Sequence, residues 1–106
     1  MNDYQITKLD VATRVPFKFD GRILFSSDRF EMVHLSLVSG EAMDLHIQPF
    51  DVVFYLLEGS GILTIGLEEH EIQPETSIMV KAGVTRAWKN NGNIVIKILV
   101  CKLKEE

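Results

Sequence analysis

The chain has 106 residues, room for one domain, with 46% hydrophobic and 25% charged residues, one cysteine and a net charge of −4. An acidic balance without a basic block gives no general attraction to phosphate backbones or anionic membranes, so neither nucleic acid nor a membrane is an expected partner. The longest apolar runs, such as Val52–Leu57 and Ile94–Ile96, are too short to span a bilayer, and the polar opening Met1–Asn2–Asp3–Tyr4 leads into no apolar h-region; with the lone Cys101, a cytoplasmic location is the expectation.

Residues 1–20 form an N-terminal segment expected to pack on the domain or on a partner subunit. Strands follow, each a short β-branched or aromatic run bounded by turn residues. Asp20–Gly21 precedes the first, Arg22–Ser26, and Ser26–Ser27–Asp28 separates it from Arg29–Val38. Within Arg29–Val38, Val33, Leu35 and Leu37 share one face, and Met32, His34 and Ser36 the other. Ser39–Gly40 leads to Met43–Ile47, and Gln48–Pro49 to Val52–Leu57. That strand is apolar at every position, so both of its faces are expected to be covered, the outer one by the N-terminal segment or another subunit.

After Glu58–Gly59–Ser60–Gly61 come Ile62–Ile65, Glu69–Ile72, Ser77–Lys81, Thr85–Trp88 and a long last strand, Asn93–Leu103, ahead of the charged, solvated tail Lys102–Glu106. No window sustains a helical period, and many short strands with regular turns predict an all-β sandwich or barrel in one domain, 1–106. A domain this small buries only about 60–70% of its unfolded surface, which makes a homodimer the expected assembly.

Ser39–Gly61 is the most diagnostic stretch. Its frame, Gly40, His46, Gln48, Val52 and Gly59, resembles the first motif of the cupins, G-x5-H-x-H-x3-E-x6-G, without a gap. Val53–Phe54–Tyr55–Leu56–Leu57–Glu58–Gly59 is similar to the strand and turn that end that motif. Glu75, Lys81, Gly83, Arg86 and Asn90 occupy the places of the second motif, G-x5-P-x-G-x2-H-x3-N, where only Gly83 and Asn90 match by identity. The motifs span about residues 40–59 and 75–90. The resemblance implies a cupin-type double-stranded β-helix (jelly-roll barrel).

In the family, the H-x-H pair, the Glu and the distant His hold a metal inside the barrel. Here those four places hold His46, Gln48, Val52 and Arg86. Val52 cannot bind a metal, Gln48 is a weak neutral ligand, and Arg86 brings a permanent positive charge to where a dication would sit. No metal and no cofactor are expected.

The frame instead points His46, Gln48, Arg86 and Trp88 into the barrel, with Asn90 near the rim and Phe50 and Phe54 as apolar wall. An inward Arg beside aromatics favours a small polar or anionic ligand, held bidentately or stacked on Trp88. Arg86 could equally pair with Asp51 or Asp44 as a plug replacing the metal, and Trp88 could be plain core. Asp51 reads first as a turn-capping acid, and otherwise as the acid partner of His46, as in metal-free sugar epimerases of cupin type.

His70 reads as a solvated turn residue. His34 reads as a satisfied strand histidine that could also line the pocket, and Cys101 as a small buried hydrophobe; a metal site rebuilt from His46, His34 and Cys101 is the remaining option. Function therefore divides three ways: a metal-independent ligand-binding cupin, an isomerase, epimerase or dioxygenase using His46, or a structural dimer whose barrel is packed solid.

Overall fold

The computed structural model describes residues 3–104; Met1 and Asn2 of the polar opening and Glu105 and Glu106 of the charged tail lie outside them. After a 3-10 turn at Leu9–Val11, nine strands follow: β1 (Thr13–Arg14), β2 (Asp20–Ser26), β3 (Phe30–Leu37), β4 (Asp51–Glu58), β5 (Gly61–Ile65), β6 (Glu68–Ile72), β7 (Thr76–Val80), β8 (Arg86–Lys89) and β9 (Ile96–Leu103). They form two antiparallel sheets, one ordered β1-β2-β3-β9-β4-β7 and the other β6-β5-β8. The order is that of a double-stranded β-helix.

Period-two alternation builds the core. Val33, Leu35 and Leu37 of β3, Val52, Phe54 and Leu56 of β4, and Ile96, Ile98 and Val100 of β9 all point inward and are buried. Leu37, Leu56, Ile96 and Ile98 are fully buried, each contributing roughly 2 kcal/mol by area burial. From the opposite sheet Leu63 and Trp88 close the core, with Trp88 edge-on to Phe54 at a ring separation of 5.7 Å. The turn after β4 demands glycine: Gly59 sits at φ +77, and a Cβ there would lie 2.6 Å from the Val95 carbonyl oxygen.

The expected strand at Met43–Ile47 is instead a bulged segment beside β8. It is held by two isolated bridges, Ala42 to Lys89 and His46 to Arg86. Between the bridges three residues on one side (43–45) stand against two on the other (87–88), so one extra residue is accommodated. The last strand begins at Ile96 rather than Asn93, because residues 90–94 are folded into a tight loop around Asn90. Its Nδ2 donates to the carbonyls of Leu37 (2.9 Å) and Ile94 (2.8 Å), and its Oδ1 accepts from the Gly92 N–H at 3.0 Å. Asn90 is thus a buried knot in the loop rather than a rim residue. The reading in chain order also missed β1, whose two residues pair with Arg22 and Ile23 of β2. Among the described residues, no helix is long and apolar enough to cross a membrane.

Candidate ligand-binding site

The two sheets enclose a cavity of about 410 Å³, which excludes a barrel packed solid. Its apolar walls are Val33 and Leu35 of β3, Val52 and Phe54 of β4, and Val100 of β9. The bulged segment contributes Asp44, His46 and Gln48, and β8 contributes Arg86. Residues 16–19, between β1 and β2, lie across it as a cover.

Arg86 sits at the start of β8 with backbone partners on both sides, Ile65 of β5 and His46 of the bulged segment. This pins its side chain inward, where the residue is 1% exposed. Nε donates to the Val84 carbonyl at 2.9 Å and Nη2 to the Lys81 carbonyl at 3.1 Å. Among the described residues no carboxylate pairs with it, and Nη1 has no acceptor. The plug reading therefore fails: Asp51 accepts from the Ala82 N–H at 2.9 Å as a turn cap, and Asp44 is exposed. Burial pushes the guanidinium pKa below its ordinary value. A buried cation that lines a cavity and has a donor to spare gains more from an incoming anion than an exposed lysine does.

His46 is half-buried at the cavity wall, and its Nδ1 lies 3.1 Å from the Asp44 carbonyl oxygen. In a neutral ring, donation from Nδ1 to that carbonyl leaves Nε2 as a lone-pair acceptor. Gln48 is half-buried at the same wall, and its backbone carbonyl accepts from the Gly83 N–H at 2.9 Å.

Of the expected contacts, His46, Gln48, Phe54 and Arg86 come together, and Trp88 does not. Its ring is fully buried behind Phe54 and does not line the cavity, so it is core rather than a stacking platform. Phe50 likewise packs against the core without reaching the cavity. His34 and Cys101 alternate with inward residues and lie on the outer face of the large sheet, across the barrel wall from His46; a metal site built from the three is excluded by the pleat. His34 is 6% exposed but not satisfied, since its Nδ1 has no partner. His70 belongs to β6, exposed and paired with Glu68 at 3.2 Å, not to a turn.

The donor set does not fit the family's metal. One imidazole, one amide, a valine and a buried guanidinium surround the place where the ion would lie, and no cluster of three or more His, Cys, Asp or Glu exists among the described residues.

Sequence reasoning missed the cover and the mouth. Phe17 and Phe19 stack at 4.8 Å over the cavity, flanking Lys18. The alternation of Val15, Phe17 and Phe19 was the available signal. Lys102 shares the inward parity of Val100 and also lines the cavity, with Nζ 3.4 Å from Glu31. Burial alone would raise the Glu31 carboxyl pKa, but Lys102 and hydrogen bonds from Ser26, Lys102 and Lys104 outweigh it and hold the group below its usual value. With Arg86, Lys18 and Lys102 against Asp44, the cavity lining carries an excess of positive charge in an acidic protein.

Fold and site together define a small double-stranded β-helix barrel with an apolar cavity and a buried cation. The chain belongs to the cupin domain family, whose pattern matches residues 33–101. It is 30% identical over 67 residues to the tetracenomycin polyketide synthase protein TcmJ of Streptomyces glaucescens, a match covering 62% of this chain and 45% of that protein. In fold it is similar to the polyketide cyclase RemF of Streptomyces resistomycificus (TM-score 0.83, 17% identity, 96% of this chain and 80% of that one). It is also similar in fold to an RmlC-like cupin of Methanocaldococcus jannaschii with a double-stranded β-helix fold (TM-score 0.79, 21% identity, 97% and 92% covered). The chain spans less than half the length of the curated relatives it matches.

Proposed function

We propose that this cupin domain binds a small organic anion with an apolar body, its acidic group on Arg86 and its body against Phe54, Val52 and the Phe17–Phe19 cover. The observation that carries this reading is the buried, carboxylate-free guanidinium lining the cavity, with Nη1 left without an acceptor. The Nε–Nη2 edge is spent on two carbonyls, so the anion meets the Nη1 end, with Lys18 and Lys102 drawing it in. The donor set argues for binding without a metal. Similarity to a polyketide synthase protein and to the fold of a polyketide cyclase favours ring-bearing, oxygenated acids among the candidates.

A thermal-shift screen of small acids tests the reading. Aromatic and medium-chain carboxylates at millimolar concentration should raise the melting temperature, while acetate and the matching neutral amides should not. Equal shifts from acids and amides would remove Arg86 as the anchor.

A second reading makes the same site catalytic, and the His46–Arg86 pairing favours it. A neutral His46 that donates from Nδ1 to the Asp44 carbonyl offers Nε2 as a base, and with Arg86 lining the same cavity the pair suits proton transfer at carbon next to a carbonyl. The C–H proton passes to Nε2, its electron pair moves through the new C=C to the carbonyl oxygen, and Arg86 stabilises that enolate until His46 returns the proton. Solvent deuterium appearing in phenylpyruvate at its C3 position, faster with wild type than with His46→Gln, is the expected result; equal rates would leave binding alone.

A further inference from the structure

One inward row of the large sheet carries charge at both of its ends. The register places Glu31 of β3 opposite Lys102 of β9, Lys102 opposite Val52 of β4, and Val52 opposite Val80 of β7. Just beyond Val80, the Lys81 carbonyl accepts from Arg86 Nη2 at 3.1 Å, so the guanidinium stands at the β7 end of the row. An ammonium and a guanidinium thus flank an apolar floor. The next inward row, Val33, Val100, Phe54 and Ile78, is apolar throughout.

Lys102 has donors to spare. Its side chain is 20% exposed, and Nζ donates to Glu31 Oε2 at 3.4 Å, its one acceptor among the described residues. Glu31 Oε1 meanwhile accepts from Lys104 Nζ at 3.4 Å and from Ser26 Oγ at 3.1 Å. One carboxylate therefore serves two ammoniums, and a positive charge is left over at the cavity wall. Within the cavity lining, Arg86, Lys18 and Lys102 outnumber Asp44 by two charges. A dianion balances that excess and a monoanion does not.

We propose that the ligand is a dicarboxylic acid, one carboxylate on Arg86 and the second on Lys102, with its apolar span over Val52. The inference rests on Arg86 being the anchor of the first acid. Two strand spacings of ~4.8 Å separate the backbones of Lys102 and Val80, and each N–H···O contact takes up ~2.8 Å. That leaves ~4–6 Å between the two acids, the reach of glutarate or adipate and beyond that of malonate. The cupin frame has Glu at the place of Val52, where a carboxylate would repel both acids; valine gives the span an apolar bed. Glu31 is then an internal competitor, holding Lys102 until the second acid of the ligand displaces it.

Calorimetric titration of adipate and of its monoamide tests it, with phenylacetate as the single-acid control. Wild type should prefer adipate over the monoamide by at least ~10-fold. Lys102→Met should abolish that preference and leave the affinities for the monoamide and for phenylacetate within about threefold. Glu31→Gln frees Lys102, so the preference should rise, an effect that a merely structural role of Lys102 would not produce. Should Lys102→Met not fold, Glu31→Gln decides alone. A wild type that binds adipate no better than the monoamide, a preference that survives Lys102→Met, or one that Glu31→Gln does not raise would overturn the inference. Phenylacetate outbinding its neutral amide keeps the Arg86 anchor in place whichever way adipate falls; loss of that preference removes the anchor and the second acid together.

Discussion

His46 and Arg86 face one another across an antiparallel bridge, each backbone N–H donating to the other's carbonyl at 3.1 and 2.9 Å, and both side chains line the same cavity. The backbone itself therefore fixes the separation of an acceptor and a cation. In the cupin frame both positions belong to metal ligands, and here the cation is supplied by the chain.

An unpaired buried cation is a cost to the empty fold. Arg86→Met keeps the volume and removes the charge, leaving two carbonyls short of a donor. Stability without ligand should change by less than about 1 kcal/mol or increase, while anion binding is lost. Urea titration checks the first part. A loss above about 3 kcal/mol would mark Arg86 as a structural member instead.

His34 makes stability depend on pH. Burial, then Lys97, lower its folded pKa, against smaller opposing effects of Asp20 and Glu58. The unfolded chain takes up the proton first, so stability should be full above about pH 6.5 and fall as pH drops through the window below it. Glu31, also lowered, adds a second loss below the usual carboxylate range. In His34→Gln the upper step should vanish and the lower one remain, as read from urea midpoints between about pH 8 and 2.5. An upper step that persists in the variant would assign it to another group.

Trp88 separates packing from recognition. Its Nε1 is buried without a partner and its ring fills the core behind Phe54. Trp88→Phe should cost about 1–2 kcal/mol through lost contacts, softened by removing the orphan donor, and leave ligand affinity within about twofold. A tenfold loss of affinity would place the ring at the ligand after all.

Glu75 adopts φ 64, the left-handed region, at a place where the family's second motif has glycine. Glu75→Gly should stabilise the fold by about 0.5–1 kcal/mol, relief of strain exceeding the added chain entropy. An unchanged or lower urea midpoint would show that the turn carries no strain.

The fold was legible because its signals are local and repeated: alternation in β3 and β9, turn residues between strands, and the glycine at 59 that the turn geometry demands. The site was half legible. The frame brought His46, Gln48, Phe54 and Arg86 together, but parity alone could not tell cavity from core for Trp88, whose depth depends on what packs beyond it. The bulge at residues 42–46 depends on long-range packing and has no turn or period signal, and the cover had only the brief alternation of Val15, Phe17 and Phe19, which does not say what those side chains lie across. Nor could sequence choose between anchor and plug for Arg86, which turned on where Asp51 found its own partner.

The most direct test of the central claim is calorimetric titration of phenylacetate and of its neutral amide into wild type and Arg86→Gln. The account predicts that wild type prefers the acid by at least about tenfold and that Arg86→Gln abolishes the preference while leaving amide affinity unchanged. Equal affinity of wild type for acid and amide, or a preference that survives in Arg86→Gln, would contradict it.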